Sequence, residues 1–138
     1  SANSVRQRRN DGVDATNGHE TWTYLDGLGR PIQTRTEAET GGYRAINTVY
    51  DERGSVRFET LPVFSSGSAH TKPSGTMLGT LRAYDPIGRL SATTPAVNGN
   101  FNGSGQLTAT GATGGDAGSP VGPVQLAYAD GNNPWVLV

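Results

Sequence analysis

Three short segments of the sequence repeat the same spacing of an aspartate and a glycine. The three pairs are Asp26 with Gly29, Asp51 with Gly54, and Asp85 with Gly88. Aspartate favours the first position of a type I turn, where its carboxylate accepts backbone N–H groups. A glycine three residues on takes the left-handed conformation that a three-residue hairpin loop requires. Each copy therefore predicts the tip of a β-hairpin, and these six residues are predicted structural turn residues.

The same turn geometry predicts which side chains lie opposite each other beside the tips. Tyr50 is expected to face Val56 across the second hairpin, and Tyr84 is expected to face Leu90 across the third. Aromatic–aliphatic pairs of this kind contribute about 0.2–1 kcal/mol each. These four residues are predicted structural cross-strand residues.

The first copy departs from this pairing. Its Tyr24 stands two residues before the aspartate, and Leu25 occupies the adjacent position opposite Pro31. Either a β-bulge restores the common face, or Trp22, Tyr24 and Ile32 point to the other side of the hairpin.

The composition favours an all-β protein. The 138 residues include 20 Gly and 8 Pro, and no segment shows an apolar period of 3.6 residues. An isolated two-stranded hairpin is marginally stable in water, so the predicted hairpins must lie side by side in a larger sheet. The expected fold is antiparallel hairpin repeats with long Gly/Ser-rich loops.

Changes in composition along the chain predict four regions. They are a polar leader or linker at 1–20, hairpin repeats at 21–96, a Gly-rich loop at 97–123 and a partial further repeat at 124–138. Asp130 is a weaker candidate for another turn. The apolar residues Trp135–Val138 resemble the middle of a strand, which predicts that the chain is a fragment or that its end pairs with another segment.

Several classes of site have no support in the sequence. There is no cysteine, so disulfides, thiolate metal sites and cysteine nucleophiles are excluded. His19 and His70 stand alone in polar segments without a second ligand at metal-binding spacing. No apolar run approaches the roughly 20 residues of a membrane span, and a net charge of −1 predicts no nucleic-acid partner. We expect no cofactor and no metal.

The basic cluster Arg6-Gln7-Arg8-Arg9 allows three interpretations. It is a phosphate-binding arm, a dibasic processing site, or part of a solvated polar leader, and the last is the simplest.

The repeated segments resemble a known family. "YDERGSVRFET" and "YDPIGRLSATT" resemble YD repeats, also called RHS repeats, in which Tyr-Asp-x-x-Gly-Arg precedes alternating apolar residues. "TYLDGLGRPIQTRTE" followed by "INTVYDERGSVRFETLPVF" is similar to the RHS region of the B component of bacterial insecticidal toxin complexes. The resemblance covers Thr21 to Pro95. Ser55 replaces the Arg of the pattern, and Leu25 replaces its Tyr.

The resemblance implies a fold and a function. RHS repeats form a β-sheet ribbon that spirals into a hollow shell around a polypeptide, so this chain is expected to be a non-catalytic segment of such a shell. Its expected partners are neighbouring repeats of the same parent chain, the enclosed polypeptide, and other copies through open sheet edges. The implied location is secreted or at the cell surface of a bacterium. The alternative is an extracellular module that binds carbohydrate or protein.

One segment also resembles the aspartyl self-cleavage region of some RHS shells. Asp85-Pro86-Ile87-Gly88 matches the Asp-Pro-x-Gly of that region. However, Tyr84 precedes it and Arg89 follows it, as the repeat pattern requires, and the downstream Leu and glycines of the cleavage region are missing. We therefore expect no enzymatic activity and no catalytic residue.

Overall fold

The computed structural model describes residues 3–9, 18–111 and 124–126, and within them the chain forms β-strands and no helix. The strands are β1 (Asn3–Arg9), β2 (His19–Leu25), β3 (Pro31–Glu37), β4 (Tyr43–Tyr50), β5 (Val56–Thr60), β6 (Val63–Ser65), β7 (Gly75–Tyr84), β8 (Leu90–Phe101), β9 (Leu107–Gly111) and β10 (Val124–Gln125). Their described pairings are antiparallel. The predicted all-β, antiparallel class is confirmed. Helices that could cross a bilayer are absent from the described residues.

The chain divides into two compact units. The first unit comprises Ser1–Thr48 and Leu61–Lys72, and the second comprises Val49–Thr60 and Pro73–Val138. In the first unit the strand order is β1-β2-β3-β4, with β6 paired to the start of β4. In the second unit the order is β5-β7-β8, and β9 and β10 pair with different parts of β8.

The interior of the first unit is largely polar. On β3 the alternating residues Gln33 and Arg35 are buried, and on β4 the alternating residues Ala45 and Asn47 are buried. The period of two residues is that of a strand with one covered face. Because burying a polar group is costly unless it is hydrogen-bonded, this interior depends on its internal hydrogen bonds.

The interior of the second unit is apolar. Phe58 is fully buried, and it packs with Val97 and Phe101. The Phe58 and Phe101 rings lie 6.1 Å apart at a tilt of 56°, which is a favourable aromatic arrangement. Gly79 and Gly99 face the same ring, and a Cβ atom at either position would lie 2.6 Å from Phe58 Cζ. The two glycines therefore provide the space that Phe58 occupies.

The expected polar leader at 1–20 is wrong for its first part. Asn3–Arg9 forms β1, which pairs along its whole length with β2. The Arg6 guanidinium lies 5.3 Å from the centre of the Trp22 ring and forms an ion pair with Glu20. Strand pairing with a neighbour and a cation–π contact order this polar segment, and neither is visible in its own composition.

The expected Gly-rich loop at 97–123 is wrong for residues 97–111. Strand β8 continues to Phe101, and Leu107–Gly111 forms β9. Val97 and Phe101 are buried in the apolar core, so the few large side chains of this segment suffice to order it. Residues 112–123, Asp130 and Trp135–Val138 lie outside the described residues.

Candidate functional site

The three predicted turns share one backbone geometry. The Asp26 amide donates to the Arg30 carbonyl oxygen at 2.9 Å, and the Gly29 amide donates to the Asp26 carbonyl oxygen at 3.0 Å. The φ angle of Gly29 is 79°, in the left-handed region that favours glycine. The equivalent bonds, at 2.8–3.0 Å, join Asp51 with Ser55, Gly54 with Asp51, Asp85 with Arg89, and Gly88 with Asp85, and Gly54 and Gly88 have φ angles of 85° and 89°.

The aspartate side chains form further hydrogen bonds within these turns. Asp26 Oδ1 accepts the amides of Leu28 and Arg30, both at 2.9 Å. Its Oδ2 accepts Nε of Arg30 at 2.8 Å. Asp51 and Asp85 accept the equivalent amides, and Asp85 Oδ2 also accepts Nε of Arg89 at 2.7 Å. Ser55 cannot supply this last bond, so the second turn lacks the ion pair.

Two of these carboxylates have shifted pKa values. The backbone amide of Arg30 donates to Asp26 and lowers its pKa below the usual value. Partial burial acts in the opposite direction at Asp85, but hydrogen bonds from the amide and guanidinium of Arg89 keep the pKa of Asp85 lowered. Both oxygens of Asp85 are thus used within its own turn.

A fourth turn of the same kind was missed from the sequence. Asn102 Oδ1 accepts the amides of Ser104 and Gln106 at 3.0 Å, and Gly105 has a φ angle of 79°. Asn102 Nδ2 donates to Gln106 Oε1 at 3.1 Å. An amide–amide pair replaces the carboxylate–guanidinium pair. The signal was present, because Phe101 and Asn102 stand where Tyr and Asp stand in the second and third copies.

A fifth hairpin uses the same backbone turn without a polar side chain. The Ala38 amide donates to the Gly42 carbonyl oxygen and the Gly41 amide donates to the Ala38 carbonyl oxygen, both at 3.0 Å. Gly41 has a φ angle of 79°. The left-handed glycine is therefore common to all of these turns, whereas the aspartate is an additional stabilising group.

The predicted cross-strand residues lie beside these turns. Tyr84 pairs with Leu90, and the register shifts immediately beyond that pair. In the first hairpin Leu25 pairs with Pro31 and Tyr24 pairs with Gln33, so the irregularity is a bulge, one of the two alternatives. The Tyr84 hydroxyl donates to the Val56 carbonyl oxygen at 2.7 Å. Tyr50 ends β4 opposite the strand that Val56 begins, and their direct pairing stays a prediction.

A buried arginine holds a loop onto the first unit. Arg35 Nε donates to Gln33 Oε1 at 2.8 Å, and its Nη1 donates to Ser65 Oγ at 2.6 Å and to the Gly67 carbonyl oxygen. Its Nη2 donates to Thr71 Oγ1. Burial lowers the pKa of Arg35. These four acceptors are neutral groups, so the role of the guanidinium here is to hold the loop in place by hydrogen bonds.

Residues around Arg35 form further hydrogen bonds to the same loop. We call segment 65–71 the strapped loop. Gln33 Nε2 donates to Asn47 Oδ1 at 2.6 Å and to the Thr71 carbonyl oxygen at 2.7 Å. The Tyr24 hydroxyl donates to the Ser68 carbonyl oxygen, and the Tyr24 ring lies 5.2 Å from that of His70. Burial and the nearby Arg35 and Lys72 lower the pKa of His70. His70 thus has a packing role.

An opening of the second unit lies between two of its hairpins. A cleft of about 730 Å³ is bounded by the β4–β5 hairpin and by the β7–β8 hairpin, and we call it the hairpin cleft. Its lining includes Tyr50, Arg53, Arg57, Arg82 and Tyr84. Its size is within the range of ligand sites.

The described part of the chain offers no metal centre. No group of three His, Cys, Asp or Glu side chains in it converges as ligands of a metal ion would. His19 begins β2 and His70 packs on Tyr24. The two histidines therefore have separate surroundings.

Comparison with known proteins yields one family. A family model described as a domain of unknown function, DUF6443, matches residues 2–94, about two thirds of the chain. No curated protein and no solved structure matches the chain.

Proposed function

Since the chain belongs to the DUF6443 family, whose description assigns no function, we propose a function from its hairpin geometry. The protein is a non-catalytic structural segment of an RHS-type shell that encloses a toxin or other polypeptide. It is secreted or displayed at the surface of a bacterium. Its neighbours are further repeats of the same parent chain.

The observation that carries this proposal is the repetition of one turn. Four hairpins close on an Asx side chain that accepts two amides of its own turn, with a left-handed glycine three residues later. The residues that repeat are thus used for turns and strand pairing. Such use is expected of a building unit, because repeats stabilise one another by stacking.

The edges of the strand array support the same proposal. Among the described residues, β1 pairs only with β2, and all seven of its residues are exposed. An edge strand carries unpaired N–H and C=O groups that another strand can pair with. A shell segment uses such an edge to continue into the next repeat.

Light scattering on the purified chain tests the proposal. We expect copies of the isolated chain to associate through their open sheet edges. We expect a version extended by further hairpin repeats to associate less than the isolated chain does. A monomer that persists on both dilution and concentration, and that stays unchanged on extension, would contradict the shell function. A matched control is the extended version with its added turn glycines replaced by valine, which should not suppress association.

A second candidate function rests on the hairpin cleft. Tyrosine and arginine side chains line it, and these residue types are enriched where proteins bind partners. The alternative is therefore an extracellular module that binds carbohydrate or protein. A stable monomer that binds a defined glycan or protein through cleft residues would favour this function over the shell.

A further inference from the structure

We propose that the hairpin cleft binds an extended acidic peptide, whose carboxylates lie between Arg57 and Arg82. The inference rests on the geometry of the second unit and does not require the shell function. Three observations support it: the point at which strand pairing ends, the hydrogen bonds that bound one end of the cleft, and the charges that line it.

The pairing of β5 with β7 stops where two arginines would meet. Thr60 pairs with Gly79 and Phe58 pairs with Leu81, and the described pairing ends there. Continuation of the same register would place Arg57 opposite Arg82. Like charges directly opposite each other destabilise a strand pair. The two cations thus give a physical reason for the opening between these strands.

The opening is bridged beyond the two arginines. The Tyr84 hydroxyl reaches the Val56 carbonyl oxygen at 2.7 Å. Arg53 Nη1 donates to the carbonyl oxygens of Pro86 at 2.9 Å and Asp85 at 3.3 Å, at the tip of the neighbouring hairpin. Paired strands close one end of the gap and these bonds close the other. The opening is thus bounded at both ends.

The cations of the cleft are more available than its carboxylates. Arg57 is exposed and forms no ion pair among the described residues, and Arg82 lies 3.9 Å from Glu59 in a half-exposed pair. A pair of that kind contributes about 0–1 kcal/mol and is easily exchanged. In contrast, Asp51 and Asp85 accept amides of their own turns. Glu52, at an exposed position, and Glu59, beside Arg82, oppose an incoming anion directly, whereas the oxygens of Asp51 and Asp85 are used within their own turns.

The main chain of the cleft favours a peptide over a sugar. Beyond Phe58 and Leu81 the facing edges of β5 and β7 have no described backbone pairing with each other. Free strand edges bind extended peptides through main-chain hydrogen bonds, and side-chain contacts then select the sequence. Arginine forms paired hydrogen bonds with carboxylates, so the selected residues are Asp and Glu.

Fluorescence anisotropy with three labelled probes tests this inference. The probes are a six-residue peptide of alternating Glu and Val, a matched peptide of alternating Gln and Val, and an oligogalacturonate of similar length. We expect the acidic peptide to bind saturably, at least tenfold more tightly than the other two, and to bind less tightly as salt increases. Equal binding of the neutral peptide, tighter binding of the oligogalacturonate, or no binding at all would overturn the proposal.

Variants locate the site. Arg57→Gln with Arg82→Gln should weaken binding of the acidic peptide at least tenfold, whereas Arg44→Gln, at an exposed arginine of the first unit, should change it less than twofold. Unchanged binding in the double variant would place the peptide elsewhere.

A charge reversal distinguishes loss of the site from loss of the fold. Arg57→Glu would place a carboxylate opposite Arg82, and opposite charges stabilise a strand pair. We expect this variant to raise the thermal unfolding midpoint and also to lose peptide binding, because the gap closes. A lowered midpoint would show that repulsion between Arg57 and Arg82 does not hold the cleft open. If the shell function fails its scattering test, this binding result is unaffected.

Discussion

The two compact units stabilise their interiors by opposite means. In the first unit Arg35 and Gln33 are 1% and 2% exposed and form hydrogen bonds to the strapped loop. In the second unit Phe58 is 0% exposed and packs against aliphatic and aromatic side chains. Dispersion and water exclusion are nearly independent of direction, whereas hydrogen bonds require each partner in place. The hydrogen bonds of the first unit should therefore hold the strapped loop in one position, whereas the apolar core of the second unit should tolerate small shifts of its side chains.

The polar interior is complete in its hydrogen bonding. No buried side-chain nitrogen or oxygen among the described residues lacks a partner. A buried polar network stabilises a protein only when its members are satisfied, since an unpaired group costs about 1–3 kcal/mol. We infer that the first unit tolerates substitution at its centre poorly, whether the new residue is apolar or polar.

The largest effect should come from the apolar core. Phe58→Ala removes a fully buried ring and should lower the free energy of unfolding by about 3–5 kcal/mol. Urea unfolding followed by tryptophan fluorescence and circular dichroism measures it. Leu78→Ala, at a side chain that is 43% exposed, is the control and should cost about 1 kcal/mol or less. Equal losses in the two variants would contradict the assigned core.

Substitution in the polar interior of the first unit should lower the free energy of unfolding somewhat less, and its effect should be local. Arg35→Met deprives the acceptors on Gln33, Ser65, Gly67 and Thr71 of their donor and should cost about 2–3 kcal/mol. Hydrogen exchange of the strapped loop should speed up in this variant. Arg44→Met replaces an exposed arginine on β4 and should change neither quantity. If the strapped loop keeps its protection from hydrogen exchange in Arg35→Met, then Arg35 does not hold this loop in place.

The turns should behave alike in both units. Gly54→Val in the second unit and Gly41→Val in the first both place a β-branched residue at a positive φ angle, which costs about 1–3 kcal/mol. The control is Gly27→Val, because Gly27 has open space and no positive φ angle. Thermal unfolding midpoints compare the three. A cost at only one of the two positions would show that the units differ in their turns as well as in their interiors.

The smallest effect concerns pH. The pKa values of Asp26 and Asp85 are lowered in the folded protein. Their stabilisation is therefore present above the ordinary aspartate pKa and is lost as the pH falls through the lowered values. We expect Asp26→Asn with Asp85→Asn to lose less stability than the parent on acidification, since Asn102 shows that an amide can close this turn.

Urea midpoints measured between neutral pH and about pH 2.5 test this dependence. Asp85→Ala is the comparison, because it removes the acceptor as well as the charge and should be less stable than Asp85→Asn at every pH. An identical pH profile in the parent and the double Asn variant would assign the acid sensitivity to other carboxylates.

Local turn chemistry made part of the fold predictable from the residues alone. The all-β class followed from the glycines, the prolines and the repeated Asp-x-x-Gly, because each such turn is closed by bonds within five consecutive residues. The same rule would have located Asn102–Gly105, had asparagine been accepted in place of aspartate. The Ala38–Gly42 turn carries only its glycines as a signal.

The interiors and the cleft were decided by tertiary structure. Arg35 bonds to Ser65, Gly67 and Thr71, which lie 30 to 36 positions away along the chain. Strand β1 and the ordered end of β8 likewise depend on their pairing with neighbouring strands. Arg57 and Arg82 come to line one cleft only when two separate hairpins align. A turn is determined by the residues it contains, whereas burial and opposition depend on which distant segments meet, and that depends on the free energy of the whole chain.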